Sequence, residues 1–183
     1  MISEQPDRWL ADAAADAVIA ERRRMHWLGA SATESSTMVG LLVDMAEAGI
    51  PVGILVAHNK WVRGVVTTVG ADFVAVEQSN TDKILANIAS ICVLQPDRNI
   101  PVRQNLHESD RRGASNLYLI DVLATWAADR TRVVVTFERS PTPIVGNLVA
   151  TGIDVIVVHD IDAGNTPFYS SLPALSTVAT GSG

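Results

Sequence analysis

Two stretches of this chain, GVVTTVGADFVAVEQ (residues 64–78) and GNLVATGIDVIVVHD (residues 146–160), lie over one another at a constant offset of 82 positions. Gly64 falls on Gly146, Gly70 on Gly152 and Asp72 on Asp154. An apolar helical segment precedes each stretch, and short strand-like runs surround both in the same order. A tandem duplication of this kind restricts the chain to two copies of one supersecondary unit.

In the first copy, Met38, Leu41, Leu42 and Met45 share one helical face and mark a helix over residues 37–48. Gly49 stops it, and Pro51 prevents its continuation. Strands follow at 52–56, 61–69 and 73–78, separated by the turns HNK and GAD. Gly64 suggests a bend or bulge in the second of them. KILANIASICVL (83–94) reads as two short strands around a kink near Asn87. The second copy repeats this order. A helix over 116–130 carries Leu119, Val122, Leu123 and Trp126, and strands follow at 131–137, 144–151 and 155–160, with two more within 167–180.

Ahead of both copies, Trp9, Leu10, Ala13, Ala14, Ala17 and Val18 mark an additional helix over residues 6–28. Residues 97–115 are rich in charge and poor in apolar periodicity, as a linker is. The expected division is an N-terminal helix and connector (1–36), a first unit (37–96), the linker (97–115), a second unit (116–180) and a disordered tail (181–183).

Apolar residues make up 48% of the 183 residues and charged ones 19%, enough to build a core. The formal net charge of −6 weighs against nucleic acid as a partner, because phosphate binding would need a local basic patch set against an acidic average. No apolar run approaches the roughly 18 residues that span a bilayer, and the N-terminus lacks a basic segment before an apolar one. These features predict a cytoplasmic protein away from membranes. Cys92 is the single cysteine, which excludes an intrachain disulfide framework and a cysteine-rich zinc site. It is expected as a buried strand thiol.

A helix followed by five short antiparallel strands is the layout of a small closed barrel. The residues LVDMAEAGIPVGILVAHNKWVRGVVTTVGADFVAV (42–76) resemble the Sm-like family, in particular its Hfq-like branch, and NIASICVLQP (87–96) resembles the closing strands of that family. The whole chain is similar to helix-plus-barrel proteins of actinobacteria. The resemblance implies a mainly β fold of two tandem Sm-like five-stranded barrels, each preceded by a helix, with the extra helix in front. It also implies RNA as a partner, and a homo-oligomer through closing-strand edges or the N-terminal helices, either a ring or a compact dimer. The family's Lys-His pair at the RNA-contacting rim is replaced here by Leu85 and Ala86, followed by Asn87; in the second copy Leu172 and Pro173 are aligned with it. Phe73 stands where the family carries an aromatic able to stack on bases, and Val155 takes that place in the second copy.

The candidate RNA contacts are Phe73, Asn87, the group Lys60, Trp61 and Arg63, and the run Arg22, Arg23 and Arg24 beside His26 and Trp27. Each has a plainer reading: Phe73 as a core or rim aromatic, Trp61 as packing between helix and sheet, and the arginine run as a solvated helix end. His159, Asp160 and Asp162 sit close together, but neighbouring strand residues face opposite ways, so a turn is expected there and no metal site. The sequence contains no nucleophile elbow, phosphate-cradling glycine loop or HExxH motif. The expectation is a non-catalytic, RNA-associated protein without cofactor and without evident DNA specificity. The alternative is a protein-interaction or scaffold module that has lost the RNA rim.

Overall fold

The computed structural model describes residues 37–78, 83–96, 114–160 and 164–181. The first helix, α1 (Met38–Ala48), buries Leu42, Val43 and Met45. Gly49 ends it at φ +61, where its N–H donates to the Ala46 carbonyl and the N–H of Ile50 donates to that of Met45. A residue without a Cβ adopts this left-handed conformation at no steric cost. The second helix, α2 (Leu119–Ala128), buries Leu119, Leu123 and Ala127 and ends in the same way at Arg130, φ 49.

Five strands follow α1: β1 (Pro51–Val56), β2 (Lys60–Val69), β3 (Phe73–Glu77), β4 (Lys83–Asn87) and β5 (Val93–Pro96). Five follow α2: β6 (Arg132–Phe137), β7 (Ile144–Thr151), β8 (Val155–Asp160), β9 (Thr166–Ser171) and β10 (Leu175–Thr180). The turn into β2 places both His58 and Asn59 at positive φ.

The expected pair of closed five-stranded barrels does not form. The strands make one open ten-stranded sheet in the order β5-β1-β2-β3-β4-β10-β6-β7-β8-β9, and every neighbouring pair is antiparallel. The physical reason lies at β4. Its free edge pairs with β10 of the other half, with Ala86 opposite Thr177, Leu85 opposite Val178 and Ile84 opposite Ala179. Neither half therefore closes on itself, and β5 and β9 are left at the two ends of the row.

The duplication is nonetheless faithful in three dimensions. A Cβ at Gly64 would lie 2.2 Å from the Glu77 carbonyl oxygen, and one at Gly146 would lie 2.2 Å from that of His159. The register shifts between Val66 and Thr68 in the first copy and between Leu148 and Ala150 in the second. Ile88 N–H donates to the Asp72 carbonyl at 2.9 Å, and Leu172 N–H to that of Asp154 at 2.7 Å. That pair of bonds makes Leu172 the counterpart of Ile88, so Leu85 and Ala86 correspond to Tyr169 and Ser170. The alignment with Leu172 and Pro173 is corrected accordingly.

Two apolar cores result, and they share a wall. Val74, Val76, Ile84 and Ala86 face the core beneath α1, while Phe73, Ala75 and Leu85, on the other side of the same two strands, belong to the core beneath α2. Ala179 of β10 reaches back against the first core. The strand FVAV is thus buried on both faces, which alternating apolar residues on both sides of a strand require. The helix expected over residues 6–28 and the linker residues 97–113 lie outside the described residues.

Candidate interaction surfaces

Strand alternation sorts the sequence-predicted contact residues. Val62 and Val66 point into the first core, so Trp61 and Arg63 emerge together on the opposite face of β2. The Arg63 guanidinium carbon stands 5.3 Å from the centroid of the Trp61 ring, a cation–π distance. Beneath the ring lies Gly53 of β1, where a Cβ would approach the Trp61 Cε3 to 3.1 Å. Gln78 Nε2 donates to the Arg63 carbonyl at 3.1 Å and fixes the strand behind the pair. Trp61 remains 37% exposed, outside the helix-to-sheet core in which its plainer reading placed it. Lys60, one residue earlier, projects to the other side of the strand and joins neither.

The other candidates are placed differently. Phe73 is 1% exposed and packed in the second core, so it offers no free face to a base. Asn87 uses its side chain locally: Oδ1 accepts the Ala89 N–H at 3.0 Å and begins the short 3-10 turn Ile88–Ser90. Arg22, Arg23 and Arg24 lie outside the described residues. The structure therefore brings together two of the eight predicted residues, Trp61 and Arg63.

Each end of the sheet presents an open strand edge among the described residues, and the edges lie at strands that the sequence marks as closing strands; it does not reveal which side chains are exposed there. At one end, β5 exposes Val93, beside Leu55 of β1 and next to the Trp61 face. Cys92, expected to be buried, is exposed there; among the described residues no strand lies outside β5. At the other end, Tyr169 of β9 is 74% exposed, with Val155 and Val157 of β8 half-buried on the same face. Ile153, in the preceding turn, is 97% exposed. The signal for this surface was present in VIVV, a strand apolar on both faces, but the slipped alignment of β9 hid the correspondence of Tyr169 with buried Leu85.

Among the described residues, no three His, Cys, Asp or Glu are grouped so that they could hold a metal ion, and no helix is long and apolar enough to cross a membrane. No known protein-family model matches the chain, and no curated protein is significantly similar to it.

Proposed function

We propose that the chain is a non-catalytic interaction module that works through the open ends and outward apolar faces of its sheet. One observation carries this reading. The β4–β10 junction, formed inside the chain, buries Leu85 and Val178 where two strand edges meet, whereas among the described residues no strand pairs with the equivalent edges at β9 and β5. Edge strands with unpaired backbone groups and apolar flanks favour the addition of another strand, and main-chain hydrogen bonds then supply much of the affinity.

Hydrogen exchange on the full chain at high dilution tests this reading. The outward amides of β5 and β9 are expected to exchange much faster than those of β4 and β10. Equal protection of all four strands in the lone chain would mean that the ends are already covered, and the reading would fail.

A second reading, RNA association, is favoured by the Trp61–Arg63 pair, which offers a base-stacking ring with a cation over it. Anisotropy titrations with A-rich and U-rich RNA oligomers at two salt concentrations decide between the two readings. Saturable binding that weakens with salt and disappears in Trp61→Ala would establish the RNA reading. The burial of Phe73 and the net charge of −6 weigh against that result.

A further inference from the structure

The turn that leads into β3 and the turn that leads into β8 are built alike, yet among the described residues only the first holds a helix. Gly70 N–H donates to the Phe73 carbonyl at 2.8 Å, and Gly152 N–H to that of Val155 at 2.7 Å. In the first turn, the remaining polar groups grip the stretch that enters α2. The Ser115 N–H donates to the Val69 carbonyl at 2.8 Å, the Ala71 N–H donates to the Leu117 carbonyl at 2.9 Å, and the Asp72 carboxylate accepts the Leu119 N–H at 2.7 Å. All three bonds engage main-chain groups of residues 115–119, so the grip itself asks for no particular side chains.

The counterparts in the second turn are the Thr151 carbonyl, the Ile153 N–H and the Asp154 carboxylate. Ile153 is 97% exposed and Asp154 is exposed. Among the described residues, neither the Ile153 N–H nor the Asp154 carboxylate has a hydrogen-bond partner. The apolar face beside each turn divides in the same way. Phe73, Ala75 and Leu85 are buried in one cluster with Leu119 and Leu123 of α2. Their counterparts Val155 and Val157 are half-buried, and Tyr169 is 74% exposed.

We infer that this second turn and face form a docking site for an amphipathic helix of another protein, entered through an extended stretch as α2 is. The partner is defined by its chemistry. It carries apolar residues at its first and fifth helical positions, where α2 has Leu119 and Leu123, and an open first-turn amide for Asp154. A carboxylate at that place also meets the positive end of the helix dipole. The inference rests on the reading of the outward apolar faces as interaction surfaces, and it names the site and the kind of partner.

The edge of β9 favours a helix on the face over a strand on the edge. In the first half, the Lys83 N–H of β4 donates to Thr180 Oγ1 of β10 at 3.2 Å. Pro167 holds the place of Lys83 in β9, since Lys83 pairs with Glu77 as Pro167 pairs with His159. Proline has no N–H to offer a neighbouring strand. That edge is short of one backbone donor, whereas the face beside it keeps its full apolar area.

A labelled peptide with the sequence of residues 114–130, added to the full chain, probes the site. Fluorescence anisotropy should show saturable binding of one peptide per chain. Asp154→Ala should weaken it about five- to tenfold. Tyr169→Asp should abolish it without changing the circular dichroism spectrum of the chain, and a peptide carrying Leu119→Asp and Leu123→Asp should not bind. Hydrogen exchange at the Ile153 amide should slow on binding, while the amides of α2 in the chain keep their rates. Absence of binding would overturn the inference, as would binding that survives both Asp154→Ala and Tyr169→Asp. Faster exchange in α2 would mean that the peptide had displaced that helix from its own place, and overturns the inference too. An Ile153 amide already protected in the peptide-free chain would mean that the site is filled. Its occupant is then a segment of the same chain if light scattering gives the single-chain mass of 19.5 kDa, and another copy if it gives a multiple; either result excludes a foreign helix. Absent binding with rapidly exchanging β5 and β9 amides refutes the helix site alone, whereas protected β5 and β9 amides in the lone chain refute the interaction reading as well.

Discussion

Replacing Asp72 by alanine tests whether the two halves are held together by a specific polar anchor as well as by the sheet. Its carboxylate oxygen accepts the N–H of Leu119, the first residue of α2, from 47 positions earlier in the chain. A carboxylate at that place does the work of an N-cap and also meets the positive end of the helix dipole. Loss of a capping side chain costs about 0.5–2 kcal/mol. The bond is partly buried and Leu119 itself is buried, so water is a poor substitute acceptor, which sets the expected cost at the upper end, about 2 kcal/mol. For a chain of this size that corresponds to a fall of roughly 4–8 °C in Tm. Asp72→Asn, which keeps an acceptor oxygen and loses the charge, should fall between the two.

Urea unfolding followed by circular dichroism is the assay: the midpoint should drop while the slope stays constant. Asp154→Ala provides the internal control. Its carboxylate occupies the same position in the repeat but is exposed, with no helix start against it among the described residues. At dilutions where the chain is single, Asp154→Ala should therefore shift stability by no more than about 0.5 kcal/mol, as an ordinary surface change does. Equal losses for Asp72→Ala and Asp154→Ala, or a loss below about 0.5 kcal/mol for Asp72→Ala, would refute the assignment of Asp72 as the anchor of α2.

Phe73→Ala should cost about 3–5 kcal/mol in the same urea assay, because it empties a fully buried ring site in the second core; Val155→Ala, at the half-buried counterpart, should cost much less. Gly64→Ala and Gly146→Ala should each destabilise by about 1–3 kcal/mol or more, since the new methyl meets a backbone carbonyl that cannot turn aside. Gly53→Ala meets only the movable edge of the Trp61 ring and should cost under about 1 kcal/mol, with a measurable change in tryptophan fluorescence.

These contrasts also explain how much of the molecule was legible in its sequence. The repeat was legible because its glycines answer a local demand: Gly64 and Gly146 each sit where a neighbouring strand's carbonyl leaves no room for a side chain. Helix ends were legible at Gly49 for the same kind of reason. Strand pairing across the halves was not, because alternation reports which residues seek cover and says nothing about which strand supplies it. FVAV and VIVV make the same statement, apolar on both faces, at the same place in the repeat. In β3 that demand is met twice, by the first core on one side and by α2 on the other. In β8 it is met once: Ile156 and Val158 are fully buried, while Val155 and Val157 are only half covered and Tyr169 beside them is open. Of the two readings of Phe73 the structure fits the plainer one, a core aromatic, because the face of β3 that carries it is covered where the second unit packs against it. Cys92 failed by the converse, since a position buried in β10 is bare in β5 for want of a neighbour. Both outcomes turn on the same point: a unit's outward face depends on whatever lies beside it in the row.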